Sequence, residues 1–192
     1  MIKKLFFLLN ILFIYLFSVN VSLADLQKNL INKLTATKTL SFDFKQKISD
    51  KEETGNCFIK YPLLMKCNYQ NLKQKTIISN GKTVAVIKKK YKKIYYYPIK
   101  ATPLFFILKK ENIINLIRKN RPTKKNSTLI EFEFVDKKKN RVKILFDENS
   151  LEFRGWETKD AYSNNVSFII NNLKTNNKII DDFFKIPREE DL

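Results

Sequence analysis

The sequence predicts a mainly β fold, a single open, curved antiparallel sheet or barrel of about ten or eleven strands. Many short segments alternate apolar and polar residues, as strands with one buried face do. Turn signals separate these segments at short intervals, and only a few stretches show helical spacing. We expect the helices to cover the concave face of the sheet and the lysine-rich outer face to be solvated.

The composition limits the chemistry that this chain can perform. Of its 192 residues 44% are hydrophobic, which is enough for one folded domain. Its lack of histidine excludes Ser-His-Asp and Cys-His nucleophile systems and His-ligated metal sites. The sequence also has no phosphate loop and no Asp-rich Ca²⁺ loop, so we expect no enzyme activity, no metal and no cofactor.

The net charge of +18 comes almost entirely from lysine. Phosphate recognition favours the arginine fork, so we expect no nucleic acid partner and interpret most lysines as a solvated outer face. Electrostatic binding to an anionic polymer or to lipid headgroups is the alternative, and such binding would depend strongly on salt.

The first residues have the pattern of a secretory leader. Lys3 and Lys4 precede an apolar run from Leu5 to Phe17, and polar and small residues follow up to Ala24. We predict a signal peptide over residues 1–24, cleaved after Ala24, and a single domain over residues 25–192. The alternative is an uncleaved anchor, because residues 5–24 are just long enough to span a bilayer.

The first half of the exported chain predicts one helix followed by strands. Leu26, Leu30 and Leu34 recur every four residues, which predicts an amphipathic helix over 25–36. Residues 52–55 are interpreted as a turn, and the pairs Pro62-Leu63 and Asn80-Gly81 as hairpin turns. The predicted strands are 40–46, 57–61, 64–70, 76–79, 83–87 and 93–97.

The second half predicts two short helices and then a return to strands. Thr102 as N-cap and Pro103 at the first helical position predict a helix over 102–108. Isoleucines between Ile113 and Ile117 predict a second helical segment that ends before Pro122. The remaining predicted strands are 130–134, 142–146, 151–154, 166–170 and 183–186, the last after a turn at 181–182.

The two cysteines are expected to pair. In a hairpin centred on Pro62, residues whose numbers sum to 124 face each other, which places Cys57 opposite Cys67 at a spacing that a disulfide accepts. An exported compartment permits oxidation. CxxC spacing is absent, so we interpret the pair as a structural staple rather than a redox site; the alternative is two small buried thiols.

Glu131 and Glu133 lie on one face of a predicted strand, as paired catalytic carboxylates could. Polar positions on a half-exposed strand are the more ordinary interpretation, and we favour it. A hydrolase is therefore the weakest functional interpretation of this sequence.

Several segments together resemble the LolA family of periplasmic lipoprotein carriers. They are the leader, the short helix, FDFKQK at 42–47, GNCFIKYP at 55–62, IISNGKTV at 77–84, YYPIKATPLFFIL at 96–108 and Trp156 before the last hairpin. Their order and spacing are similar to the family's across nearly the whole exported chain, and the stretch at 97–108 is most similar to alphaproteobacterial members.

The resemblance implies an open, curved antiparallel barrel with a short helical lid and an apolar cavity for lipoprotein acyl chains. It implies a periplasmic carrier of a Gram-negative bacterium that shuttles lipoproteins from the inner to the outer membrane. The implied partners are acylated lipoprotein cargo, an inner-membrane ABC transporter that releases lipoproteins and an outer-membrane lipoprotein receptor. We expect a monomer. The alternative function is a LolA-like lipid or lipopeptide sensor that does not transfer cargo.

The resemblance also implies roles for particular residues, beside the alternative that they form ordinary core. The expected cavity residues are Phe42, Phe44, Cys57, Ile59, Met65, Cys67, Tyr69, Ile78, Phe132, Phe134, Ile144 and Phe146. The expected lid residues are Leu26, Leu30, Leu34, Leu104, Phe105, Ile107 and Leu108. Where the family usually has an arginine that holds the lid closed, this chain has Tyr61, whose hydroxyl could bond lid carbonyls.

Overall fold

The computed structural model describes residues 23–135, 141–160 and 163–192. The predicted signal peptide lies outside the described residues except for its last two positions. Within the described ranges, no helix is both long enough and apolar enough to cross a membrane.

Eleven strands and three α-helices form the described part of the chain. The helices are α1 (Leu23–Ala36), α2 (Leu104–Leu108) and α3 (Lys110–Lys119). The strands are β1 (Thr39–Ile48), β2 (Lys51–Lys60), β3 (Leu64–Tyr69), β4 (Lys75–Asn80), β5 (Thr83–Lys88), β6 (Lys93–Pro98), β7 (Thr123–Lys124), β8 (Leu129–Val135), β9 (Arg141–Asp147), β10 (Phe153–Lys159) and β11 (Asn165–Thr175). The strand count and the scarcity of helix confirm the predicted fold class.

All eleven strands belong to one open antiparallel sheet. Its order is β6-β5-β4-β3-β2-β1-β11-β10-β9-β8-β7, so β6 and β7 are the two edges. Consecutive hairpins build each half, and the pairing of β1 with β11 joins the two halves. Helices α2 and α3 lie in the single long connection between the halves, from β6 to β7.

The turn predicted at 52–55 is wrong, because these residues lie in β2. The chain reverses at Ser49-Asp50 instead, where Ser49 adopts a left-handed backbone with φ 51°. Gly55 is needed for close packing rather than for a turn. A Cβ on it would lie 2.0 Å from the carbonyl oxygen of Asn68 and 2.8 Å from the ring of Phe44.

Two smaller expectations about local geometry also need correction. The β4–β5 hairpin forms, but its central residues are Gly81-Lys82, since Ser79 pairs with Val84. Gly81 has φ 95°, which favours glycine. Helix α2 begins at Leu104, and the Thr102 hydroxyl donates to the Ile99 carbonyl instead of capping the helix.

The strand predicted at 183–186 is also wrong, and the strand predicted from residue 151 starts two residues later than expected. Residues Asp181–Phe184 form a 3₁₀ turn, and β10 begins only at Phe153 because Leu151 is left-handed with φ 55°. The segment after β11 runs against β3 and β4 on the convex side. Ile186 and Leu192 cover a small second cluster there, formed by Ile78, Ala85, Ile87 and Ile94. The outer face is therefore partly apolar, not lysine-rich throughout.

Candidate functional site

The concave face of the sheet carries one continuous apolar cluster. Alternate residues of the strands point into it, as the period of two requires. Ten of the predicted cavity residues are buried members of this concave cluster: Phe42, Phe44, Cys57, Ile59, Met65, Cys67, Tyr69, Phe132, Ile144 and Phe146. Phe134 is half-buried against it.

Ile78 is the exception among the predicted cavity residues. It lies in the convex cluster, on the other side of the sheet. The pairing of Cys67 with Ile77 decides this, because directly opposed residues share a face. Ile77 packs against the concave cluster instead. Because residues 77 and 78 are both isoleucine, the alternating pattern does not show which of the two faces the concave side.

Aromatic rings form the centre of the concave cluster. Trp156 stacks on Phe168 with ring centroids 4.0 Å apart, and Phe168 stacks on Phe44 at 4.6 Å. Tyr69 meets Phe44 edge-on at 4.8 Å, and its hydroxyl donates to Gln46 Oε1 over 2.7 Å. Trp156 and Phe168 were not among the predicted cavity residues, although the alternation of 166, 168 and 170 indicated an inward face.

A disulfide joins Cys57 to Cys67 within this cluster. The two residues are directly opposed in the β2–β3 hairpin, with Cα atoms 4.1 Å apart. Both are essentially inaccessible to solvent. The predicted pairing is confirmed, and the bridge ties two strands of the concave face together.

Three helices cover the concave cluster. Leu30 and Leu34 of α1 are buried in it, as are Ile107 and Leu108 of α2. Leu26, Leu104 and Phe105 are half-buried against it, so all seven predicted lid residues meet this face.

Helix α3 also covers this face, although the predicted lid residues included none of its side chains. It also buries Ile113 and Ile117 in the cluster. The Gln27 side chain fastens α1 to α3 by donating to the Ile117 carbonyl over 2.6 Å and to the Asn120 carbonyl over 2.8 Å.

The interior between sheet and helices is filled by side chains. Ile59, Phe132, Ile144 and Ile107 each have 0% of their surface exposed. An apolar ligand can therefore enter only where the helices or the aromatic rings move apart.

Comparison with known proteins identifies the family of this chain. A family model described as "Outer membrane lipoprotein carrier protein LolA" matches residues 35–187. The chain belongs to the LolA family. The resemblance predicted from the sequence segments is thereby confirmed.

Relatives named outer-membrane lipoprotein carrier protein match over almost the full length. That of Francisella tularensis subsp. tularensis (strain WY96-3418) is 28% identical over 200 residues, covering 95% of this chain and 94% of the relative. That of subsp. novicida (strain U112) is 27% identical over 197 residues, covering 94% and 93%. These names support a lipoprotein carrier role in general, and carriers of the LolA family are not enzymes.

A solved structure shares the fold at much lower identity. An uncharacterized conserved protein from Thermus thermophilus superposes with a TM-score of 0.53 at 7% identity, covering 85% of this chain and 94% of that one. This likeness bears on the fold alone.

In this LolA family member, Tyr61 does not bond the helices through its hydroxyl. Among the described residues that hydroxyl has no hydrogen-bond partner, and burial raises the pKa of Tyr61. The backbone of the same hairpin does reach α2, because the Leu63 N–H donates to the Leu108 carbonyl over 3.0 Å.

A lysine on α3 supplies the cation at this junction. Lys110 Nζ donates to the carbonyls of Thr35 at 3.1 Å and Thr37 at 2.8 Å, at the C-terminal end of α1. The same ammonium lies 5.6 Å from the centroid of the Tyr61 ring. A positive charge at the carbonyl end of a helix is favourable, so Lys110 connects α1, α3 and the β2–β3 hairpin.

The two glutamates that could have formed a catalytic pair lie on the convex face and are engaged in ion pairs. Glu131 accepts from Lys143 over 2.7 Å, and Glu133 pairs with Arg141 at 2.9 Å. The hydrogen bond to Glu131 raises the pKa of Lys143. Both glutamates are thus matched by cations on the neighbouring strand, which favours a structural role.

Proposed function

We propose that this protein is a periplasmic carrier that shelters lipoprotein acyl chains between the sheet and the helices, and moves lipoproteins from the inner to the outer membrane. The observation that supports it most directly is the apolar concave cluster beneath short helices, α1 to α3. A surface of aliphatic and aromatic side chains favours burial of a hydrocarbon without selecting a particular peptide. That property suits cargo proteins that share acyl chains and differ elsewhere.

The energetics of the cargo favour such a shelter. Burying each methylene contributes about 0.8 kcal/mol, so an acyl chain of about fifteen methylenes gains roughly 12 kcal/mol before the costs of binding. Because the interior is already filled, entry requires the helices to move. We assign α1 and α2 as the lid and extend it to α3, which is fastened to α1 through Gln27 and Lys110.

Export and partners belong to the same proposal. Cleavage after Ala24 would leave Asp25 in the first turn of α1, where a carboxylate is favourable near the positive end of the helix dipole. The exported single domain, residues 25–192, would receive lipoproteins from an inner-membrane ABC transporter. It would pass them to an outer-membrane lipoprotein receptor and would act as a monomer.

A release assay tests the carrier role. Purified protein is added to spheroplasts, and newly made lipoprotein is measured in the soluble fraction. We expect release of lipoprotein in a one-to-one complex with the protein. A folded protein that binds acylated peptide but releases nothing would indicate the sensor function, and no acyl binding would contradict the cavity itself.

A pair of variants tests the lid within the same assay. Leu104→Glu places a charge on the inner side of α2, whereas Ile180→Glu places the same charge at a position that is 65% exposed. We expect Leu104→Glu to remain soluble and to lose most cargo binding, while Ile180→Glu behaves as wild type. Loss of all soluble Leu104→Glu protein would show that α2 is core rather than lid.

A further inference from the structure

The β6 edge of the sheet presents an unusual concentration of exposed tyrosines. Tyr95, Tyr96 and Tyr97 lie on β6, and Tyr91 lies in the 3₁₀ turn just before it. Each is between 44% and 54% exposed. Strand β6 has no neighbour on its outer side, so nothing in the described sheet covers these rings.

All the charged residues in this part of the sequence are positive. Residues 82–110 contain nine lysines and neither aspartate nor glutamate. Lys89, Lys90 and Lys92 are exposed around Tyr91, and Lys88 Nζ lies 4.9 Å from the centroid of the Tyr95 ring. Glu189, from the C-terminal segment, reaches this edge and accepts from the Ile94 N–H over 2.9 Å. The same glutamate pairs with Lys93 at 3.8 Å. We call the four tyrosines together with Lys88–Lys90 and Lys92 the basic aromatic edge.

We propose that the basic aromatic edge docks onto the surface of an anionic phospholipid bilayer. Tyrosine is enriched at the headgroup level of membranes, where its ring and hydroxyl meet different environments. Each lysine near an anionic surface strengthens the binding affinity by up to about tenfold. The exposed large side chains here are all tyrosine, without the leucine or phenylalanine that insertion into hydrocarbon would need.

A protein partner fits these features less well than a lipid surface does. Lysine is depleted at the centres of protein interfaces, because desolvating an ammonium is costly. Here Lys88 lies over the Tyr95 ring, and the exposed Lys90 and Lys92 flank Tyr91 in sequence, so a protein would have to desolvate ammonium groups to reach these tyrosines. A layer of phosphate headgroups neutralises them while leaving them hydrated.

The position of this edge gives the docking a consequence for the helices. Strand β6 ends at Pro98, and the turn Ile99–Ala101 leads directly into α2. Ile99 is buried in the concave cluster, and its N–H donates to the Lys82 carbonyl over 3.0 Å. Docking would therefore hold α2 close to the membrane surface. The docking itself does not depend on the proposed carrier function.

Vesicle co-sedimentation tests the proposal. The purified protein is mixed with vesicles of phosphatidylglycerol and phosphatidylcholine, or of phosphatidylcholine alone, at low and high salt. We expect binding only to the anionic vesicles and its loss at high salt. The variant Lys89→Gln/Lys90→Gln/Lys92→Gln should bind about tenfold or more weakly. The matched variant Lys47→Gln/Lys159→Gln/Lys174→Gln, with the same net charge, should lose less than about twofold.

The tyrosines are tested separately, because they carry no charge. Replacing Tyr91, Tyr95 and Tyr96 by serine should weaken binding severalfold at unchanged net charge. If the two lysine variants lost the same amount of vesicle binding, net charge alone would explain the binding, and the proposal would be overturned. The proposal would also be overturned if the tyrosine variant bound as tightly as the wild type, or if the wild type did not bind anionic vesicles. Equally tight binding to poly-glutamate would overturn it too, and would indicate an acidic polypeptide as the partner.

Discussion

At the scale of single residues, Lys110 makes the hydrogen bonds to helix carbonyls that were expected of Tyr61. Its two hydrogen bonds end at the C-terminal carbonyls of α1, and its ammonium faces the ring of Tyr61. The resemblance implied a lid-closing side chain in the β2–β3 hairpin, at position 61, whereas this cation lies on α3. The residue type at position 61 does not indicate this cation, because Lys110 lies 49 residues further along the chain.

Replacing Lys110 should loosen α1 without unfolding the sheet. We expect Lys110→Gln to lower the free energy of unfolding by about 1 kcal/mol, since the lost bonds are charged but partly solvated. Amide exchange in α1 should accelerate, as measured by hydrogen–deuterium exchange. Lys119→Gln, on an exposed position of the same helix, is the control and should change neither quantity. Unchanged α1 exchange in Lys110→Gln would contradict this role of Lys110.

Tyr69 should make stability depend on pH above about 10. Burial raises its pKa above the ordinary value of 10.0, and the nearby Glu53 charge raises it further. Above the ordinary value the unfolded chain releases this proton while the folded chain retains it. The unfolded state then binds fewer protons, so stability falls as pH rises, by up to about 1.4 kcal/mol per pH unit.

The substitution Tyr69→Phe isolates this effect. We expect denaturant unfolding between about pH 9 and pH 11 to show a shallower decline than in the wild type. At neutral pH the variant should lose about 1 kcal/mol, from the missing hydrogen bond to Gln46. Tyr96→Phe, at a ring that is 54% exposed, is the control at neutral pH and should lose less than about 0.5 kcal/mol. Parallel pH profiles for wild type and Tyr69→Phe would contradict the assignment.

At the scale of elements, the C-terminal segment contributes packing that strand patterns did not predict. Phe184 is 1% exposed, and Phe183 meets its ring at 5.4 Å and the Phe58 ring at 5.1 Å. Lys66 Nζ lies 4.4 Å from the centroid of the Phe183 ring. The apolar residues at 183, 184 and 186 were interpreted as a strand, yet Phe183 and Phe184 lie in a 3₁₀ turn, and Ile186 follows it against the convex cluster.

Truncating Phe184 measures how much the C-terminal segment contributes to the free energy of unfolding. We expect Phe184→Ala to cost about 3–5 kcal/mol in urea unfolding, because a large buried ring leaves a cavity. Ile180→Ala, four residues earlier and 65% exposed, should cost less than about 0.5 kcal/mol. Similar small losses in both variants would show that the C-terminal segment is detached in solution.

The hairpins were the most predictable elements, because their turns and pairings are local. Pro62 and the alternation on either side of it were sufficient to place Cys57 opposite Cys67. Prediction was wrong where one residue type serves two purposes. Gly55 indicated a turn but serves close packing, and Ile77 and Ile78 are both apolar although they face opposite sides. Those choices depend on contacts with distant strands, which the local pattern does not contain.

At the scale of the whole molecule, the sheet and the helices together form a filled apolar interior. The sequence predicted the open antiparallel sheet and the helices over its concave face. It could not predict that the aromatic rings of both halves meet at the centre, since Phe44 and Trp156 lie more than a hundred residues apart. Both reach Phe168 of β11, which pairs with β1 on one side and β10 on the other.

Cargo binding should therefore be visible through Trp156, the only tryptophan in the sequence. It is 4% exposed and stacks on Phe168 and Phe153. An acyl chain that enters the interior must separate these rings but keeps water out. We expect a saturable change in emission intensity without the red shift of a water-exposed indole, together with faster amide exchange in α1.

The measurement is a fluorescence titration with a synthetic acylated lipopeptide, and the same peptide without acyl chains is the control. The control peptide should leave Trp156 emission and α1 exchange unchanged. The Lys110→Gln variant should reach half-saturation at a lower lipopeptide concentration, because part of the cost of opening is already removed. Tight lipopeptide binding that alters neither Trp156 emission nor α1 exchange would place the acyl chains outside the concave cluster and contradict the proposed cavity.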